Sequence, residues 1–199
     1  MDRKLILIRH ASTTSPKHAL VGKTDLDLSQ IGIDDCVNLK SRISVENTQV
    51  HYFSSTLVRA IHTAEILFPH TEFKRHAGIN EVDFGIWSGM DMPEISRKYP
   101  EAIKEWTREP LLFRFPGGES VKEFIDRIND FLNSEILSQT NPCVVVCHGG
   151  AIRFMICRML NLEYTHHLAF SVHRPSVNII DHDGTSGVLA GLNLRELTI

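Results

Sequence analysis

The chain predicts an α/β fold, a three-layer sandwich with a mostly parallel central sheet flanked by helices and carrying a lid insertion. Three observations predict it. Lys4–Ile8 and Cys143–Cys147 are short apolar runs of the kind that form strands covered on both faces. Segments with helical apolar spacing alternate with such strands along the chain. The 199 residues, 42% hydrophobic and 23% charged, suit one soluble domain over residues 1–199 with a substantial core.

Each element has a local reason. Lys4–Ile8 ends at Arg9-His10, and residues 11–28, rich in Ser, Thr, Pro and Gly, read as loop. Ser29 is an N-cap for a helix over about 30–43, with Ile31, Val37 and Leu39 among its apolar positions. Gln49–Phe53 is a second strand. Ser54-Ser55-Thr56 then leads into a helix over about 57–67, where Leu57, Ile61, Ala64 and Leu67 recur at helical spacing. Glu72–Arg75 is a third, short strand. Residues 76–118 carry Pro93, Pro100, Pro110 and Pro116 and both tryptophans; they fit short helices at 93–98 and 101–107 and read as a lid over a site. Ser120 opens a helix to about 138, with Phe124, Ile128, Phe131, Leu132 and Ile136 on one side. Gly149-Gly150 starts another to about Leu160, and the tail offers strands near 168–172, 176–181 and 187–193.

Composition narrows the partners. A formal net charge of −3 gives no global attraction to nucleic acid or anionic membrane. No apolar stretch approaches the roughly 18 residues of a membrane-spanning helix. Only four apolar residues follow Asp2-Arg3-Lys4, too few for a signal-peptide core. Cys36, Cys143, Cys147 and Cys157 form no CxxC pair, and a reducing cytoplasm is the expected compartment.

The chemistry gathers where two strands end. His10 and His148 each follow an apolar run, and ligands of open α/β sheets collect at the carboxyl ends of strands. Arg9 adds a planar donor suited to phosphate. The helix after His148 offers backbone N–H groups and a positive dipole end, and Gly149-Gly150 permits close approach. Arg59 stands near the start of a helix that follows a strand; taken alone it reads equally as a solvated helix residue. Glu81 and Asp83 taken alone are ordinary loop carboxylates. The eleven histidines raise the question of a metal, but there is no HExxH and no Cys/His ligand spacing, so no metal or cofactor is expected. A GxxxxGK[ST] loop is absent as well. Of the other histidines, His18 and His62 fall near the site segments.

Taken in order, these pieces resemble the histidine phosphatase superfamily, the phosphoglycerate-mutase-like fold. Arg9-His10 with Thr13 resembles its Arg-His-Gly-x-Thr signature, and residues 54–65 resemble its Ser-Ser-x-Leu-x-Arg-Ala-x-x-Thr-Ala-Glu segment. Glu81–Gly89 resembles the segment with its acidic proton donor, Phe115–Ser120 its Gly-Gly-Glu-Ser turn, and Cys147–Gly150 its second histidine motif. The resemblance implies a metal-independent phosphomonoesterase in which His10 becomes phosphohistidine. Arg9, Arg59, His148 and the Gly149 N–H would surround the phosphoryl group, with Thr13 and Gly22 in the binding set. Glu81 would serve as acid and then base. His10 is expected to donate from its other ring nitrogen to a backbone carbonyl. Two positions depart from the pattern. Ala11 replaces the usual glycine, tolerable if its φ is negative. Pro16 replaces an asparagine that touches phosphate, so that contact is absent or comes from Ser12, Thr13 or Thr14.

Gly22–Leu28 resembles the Gly-x-Thr-Asp-x-x-Leu stretch of the α-ribazole phosphatase branch, which implies α-ribazole 5′-phosphate as substrate, in cobalamin biosynthesis. Phe84, Trp87, Trp106, Phe113 and Phe115 either stack on its benzimidazole or form the lid's own core. The alternatives are a phosphatase for another small phosphate monoester, a phosphoglycerate mutase, or a non-catalytic phosphate-binding module. The expected partner is a small-molecule phosphate ester, with no nucleic acid and no membrane; a homodimer is an allowed assembly.

Overall fold

Leu5, Ile6, Leu7 and Ile8 are fully buried, as a strand covered on both faces requires, and they lie in β1 (Arg3–Arg9). The computed structural model describes residues 3–16, 18–46 and 49–199. β5 (Cys143–Cys147) pairs with β1 in parallel, from Leu5 opposite Cys143 to Arg9 opposite Cys147. Beyond β5 lie β3 (His51–Ser54) and then β4 (Lys74–Arg75), both parallel. On the other side of β1, β6 (Ser176–His182) and β7 (Gly187–Leu194) run antiparallel. The order is β4-β3-β5-β1-β6-β7, a parallel core with an antiparallel margin. A small parallel pair of β2 (Ile43–Ser44) and β8 (Leu197–Thr198) has no counterpart in the sequence-based reading.

Side chains of the central strands alternate between two cores. Leu5, Leu7 and Val145 face the helices α5 (Val121–Phe131) and α6 (Gly149–Met159). Ile6, Ile8, Val144 and Val146 face α1 (Gln30–Lys40) and α2 (Val58–Leu67). Ser29 caps α1 as expected, accepting from Gly32 N–H. The inward face of α1 is not the expected one: Ile31 and Val37 are 70% and 55% exposed, while Gly32, Cys36 and Leu39 are buried. A Cβ on Gly32 would lie 2.1 Å from the Ser12 carbonyl oxygen, so this helix docks through Gly32, Cys36 and the expected Leu39 rather than through Ile31 and Val37. Ser120 and Glu123 form a reciprocal capping box on α5, which passes into a π-helical turn over Leu132–Ile136.

The segment 76–118 contains α3 (Met92–Lys98) and α4 (Pro100–Arg108), close to the expected positions. Trp87, Phe113 and Phe115 are buried in it, and Trp106 stacks on Phe113 with centroids 5.8 Å apart. One expected strand is absent. Tyr164–Ala169 is a 3-10 helix, and 170–175 runs irregularly into β6. The carbonyls of Phe170 and Val172 accept from Arg153 and Arg9, and Asn193 bonds both Ser171 O and His173 N–H. Side chains thus satisfy the backbone groups that a strand would have offered to a neighbour. No helix among the described residues is long and apolar enough to cross a membrane.

Candidate active site

Strand register creates the site. Because Arg9 lies opposite Cys147, the chain leaves the sheet at His10 and His148 side by side. His10 N–H donates to Cys147 O at 2.9 Å, and the two imidazole centroids are 5.1 Å apart. His10 Nδ1 lies 2.7 Å from Ala11 O. A carbonyl oxygen can only accept, so Nδ1 carries the proton and Nε2 presents its lone pair. Arg59 Nε donates toward that lone pair at 3.3 Å. Burial, followed by the charges of Arg59 and Arg9, holds His10 well below the usual histidine range, so the ring is neutral. Ala11 fits without strain, since it is not among the residues with positive φ.

Arg59 is buried in the first turn of α2, which removes its reading as a solvated residue. Its Nη1 and Nη2 donate to Thr24 O at 2.8 Å and Gly22 O at 2.6 Å, leaving Nε for His10. Gly22 has φ +55° and a Cβ there would meet Val82 O at 2.7 Å, so the turn that holds Arg59 needs glycine. Arg9 donates to Val172 O, and its guanidinium lies against the start of α6. A Cβ on Gly149 would be 2.9 Å from Arg9 Cζ. Arg9 Nε is buried without a hydrogen-bond partner.

The proton on His148 can be traced through its neighbours. Thr56 N–H donates to Asn80 Oδ1 at 3.0 Å, which fixes that atom as an acceptor. Ser55 O–H therefore donates to Asn80 Oδ1 at 2.7 Å, while Ser55 Oγ accepts from Leu57 N–H at 3.1 Å. Its remaining contact, 2.7 Å to His148 Nε2, must be one that it accepts. His148 thus carries its proton on Nε2, and Nδ1 is a buried lone pair without a partner. Burial, and then the neighbouring His10 and arginines, hold this ring well below the usual histidine range too.

Glu81 is placed from both sides. Its Oε2 accepts from Gly150 N–H at 3.1 Å, and a Cβ on Gly150 would fall 2.3 Å from its Oε1. Arg127 ties down the backbone beneath it, donating to Gly78 O, Asn80 O and Glu81 O at 2.8, 2.7 and 3.1 Å. Arg127 is itself held by Glu119 through two bonds of 2.7 and 3.0 Å. The Glu of the Gly-Gly-Glu-Ser turn therefore acts at a distance, by positioning Glu81. Asp83 serves its local turn, accepting from Gly85 N–H at 2.9 Å.

These residues surround a cavity of about 310 Å³. Arg9, His10, Gly22, Arg59, Glu81 and Gly149 line it; His148 is fully buried beside His10. Thr13 lies elsewhere, in an adjoining polar cleft with Ser12, Ser15, Pro16 and His18, its hydroxyl 2.9 Å from that of Ser15. His62 pairs with Asp27 on the surface. Two further arginines, Arg153 and Arg174, line the main cavity; nothing in their local sequence marks them. The lid aromatics divide: Phe84, Trp106 and Phe115 line the cavity, whereas Trp87 and Phe113 belong to the lid's interior. The arrangement offers an unprotonated imidazole nitrogen amid guanidinium groups, with one carboxylate on the cavity wall. That is the equipment for displacement at phosphorus with charge stabilisation supplied by the protein.

Comparison with known proteins agrees with this geometry. Residues 5–195 match the model of the histidine phosphatase superfamily (branch 1). Phosphoserine phosphatase 1 of Hydrogenobacter thermophilus is 33% identical over 96% of this chain and 92% of its own. A 2,3-bisphosphoglycerate-dependent phosphoglycerate mutase of Nitrobacter winogradskyi is 28% identical over 78% of this chain and 80% of its own. Among solved structures, a putative alpha-ribazole-5'-P phosphatase of Escherichia coli superposes with a TM-score of 0.87 at 24% identity, covering 100% of both chains, which shows the shared fold. The chain belongs to the histidine phosphatase superfamily, and it is a phosphatase.

Proposed function

We propose that this protein is a metal-independent phosphomonoesterase working through a phosphohistidine at His10 Nε2. The observation that carries the reading is the His10 bond to Ala11 O, which leaves Nε2 unprotonated in the cavity. Nε2 attacks phosphorus and the ester P–O bond breaks, while Glu81 in its acid form gives its proton to the leaving oxygen. Water then attacks phosphorus, its proton passes to Glu81, and the P–N electron pair returns to Nε2 as phosphate leaves. Arg9, Arg59 and the Gly149 N–H hold the phosphoryl oxygens through both steps, and His148 joins them only by taking a proton on its free Nδ1 as the anion binds.

The substrate is a small phosphate monoester. α-Ribazole 5′-phosphate, expected from the sequence, would lay its benzimidazole against Phe84, Trp106 and Phe115 on the cavity wall. Phosphoserine is the second reading, favoured by the 33% identity to a phosphoserine phosphatase. The test is hydrolysis of p-nitrophenyl phosphate, α-ribazole 5′-phosphate and phosphoserine in EDTA. The wild type turns over and forms an acid-labile, base-stable phosphoenzyme; folded His10→Ala retains less than about 1% of the activity. Complete loss in EDTA with rescue by a divalent ion, or substantial turnover by His10→Ala, overturns the mechanism.

A further inference from the structure

The cavity carries more positive charge than the transferred phosphoryl group can neutralise. Four guanidinium groups line it, those of Arg9, Arg59, Arg153 and Arg174, against the single carboxylate of Glu81. With both buried imidazoles neutral, three positive charges remain. A phosphate monoester dianion takes two of them. Among the described residues none of these four arginines has a carboxylate within ion-pair distance.

Arg59 is held by Gly22 O, Thr24 O and His10, and Arg9 by Val172 O. Arg153 is anchored through Nε to Phe170 O at 2.9 Å. Arg174 sits in the irregular segment before β6 and, like Arg9, lines both the main cavity and the adjoining polar cleft and has a buried Nε without a partner. It differs from the other three in that, among the described residues, its guanidinium makes no hydrogen bond at all, whereas Arg9, Arg59 and Arg153 each donate to a backbone carbonyl. Burial lowers its hold on its proton, and only the charge of Glu81 opposes this. A half-buried guanidinium whose Nε is buried without a partner is costly, and arginine is suited to bidentate pairing with a carboxylate. Ser12, Thr13 and Ser15 supply hydroxyl groups on the cleft side.

Building on the phosphatase reading, we infer that Arg174, with Arg153 beside the same cavity, forms a second anion subsite that selects phosphate monoesters carrying a carboxylate. The substrates are phosphorylated hydroxy acids, including phosphorylated hydroxy amino acids, and the phosphate ester of an uncharged alcohol is the poorer one. The main alternative is that Arg174 serves the transferred phosphoryl group itself, taking the role of the asparagine whose place Pro16 holds.

Matched pairs separate the two. Phosphoserine and O-phosphoethanolamine differ by the carboxylate, as do 3-phosphoglycerate and glycerol 3-phosphate. In the wild type, kcat/KM favours the carboxylate member of each pair by about tenfold or more. Arg174→Gln brings that ratio down to within about threefold of one, chiefly through KM of the acid, and Arg174→Lys recovers part of it. A wild-type ratio near one overturns the subsite. So does an equal loss for both members of each pair in Arg174→Gln, which assigns Arg174 to the phosphoryl group. Calorimetric binding of phosphoglycolate against methyl phosphate gives the same comparison without turnover. If no ester is hydrolysed while the carboxylate preference in binding persists and is lost in Arg174→Gln, the phosphatase mechanism fails and the subsite stands. Equal binding of the two ligands by the wild type removes the subsite. If Arg174→Gln does not fold, the wild-type ratios and Arg174→Lys decide.

Discussion

Gly150→Ala isolates the work of Glu81 without touching the carboxylate itself. The added Cβ would lie 2.3 Å from Glu81 Oε1, and 3.2 Å from its Cδ, so the carboxylate must swing away from Gly150 N–H. Because the obstructed atoms are the end of a flexible side chain, the backbone survives. Losing the charged hydrogen bond of 3.1 Å costs about 1–2 kcal/mol. Alanine in a helical turn returns up to about 0.5–1 kcal/mol. The net change in Tm is a fall of about 0–5 °C for a chain of this size. Catalysis responds far more. Misplacing a general acid costs about 100-fold for a poor leaving group, which is about 2.7 kcal/mol of barrier. For phosphoserine, kcat/KM therefore drops about 100-fold. For p-nitrophenyl phosphate, whose leaving group needs no proton, kcat/KM falls less than about threefold. Its kcat falls further, because the water attack still needs the base, and stopped-flow traces show a burst near one equivalent of p-nitrophenol. An equal fall in kcat/KM for the two esters refutes the acid role of Glu81. No fall for either refutes the placement of Glu81 against Gly150.

The remaining predictions concern the two buried rings. Ser55→Ala removes the acceptor for His148 Nε2–H, so it costs about 1–3 kcal/mol in urea unfolding and about tenfold or more in kcat/KM; retention of both refutes the proton placement argued from Asn80. His10 and His148 both sit below the histidine value of their unfolded state, so their contribution is complete above about pH 6.5 and is lost as pH falls below it. In phosphate-free buffer, lowering pH from 7 to 5.5 then costs about 2.5 kcal/mol from the two rings together, and His10→Ala halves that share; an equal pH slope in the two proteins refutes buried neutrality for His10.

Much of the site was legible because it depends on where strands end. An apolar run stops at a fixed residue, and the parallel pairing of Arg9 with Cys147 then brings His10 beside His148. Arg59, whose local sequence allowed a solvated residue, was placed by the resemblance of residues 54–65, and its burial follows from the carbonyls of Gly22 and Thr24 reaching it from a distant loop. The failures share a physical cause: partners remote in sequence took over groups whose local pattern pointed elsewhere. The stretch near 168–172 has strand-like residues, but Arg9, Arg153 and Asn193 occupy its backbone groups. On α1, apolar periodicity pointed to Ile31 and Val37, whereas the close approach of Ser12 O to Gly32 sets the inward face. Arg174 had no signal at all, being a polar residue between histidine and proline.

The charge balance also bears on how the two candidate substrates should be weighed. α-Ribazole 5′-phosphate offers its phosphate and an aromatic ring, which would use Phe84, Trp106 and Phe115 but leave a positive charge unmatched. An acidic ester matches the charge but leaves much of the aromatic wall to pack on itself. That wall is already largely satisfied without a ligand: Phe84 meets Phe115 edge-on at 4.9 Å, and Trp106 stacks on Phe113. Arg174 Nε has no such alternative partner. An unfilled apolar surface forfeits a modest dispersion gain, whereas a half-buried guanidinium with a buried, unpartnered N–H forfeits a charge-assisted hydrogen bond. The group with the larger unmet demand has the stronger claim on the substrate, and in this cavity it is the arginine.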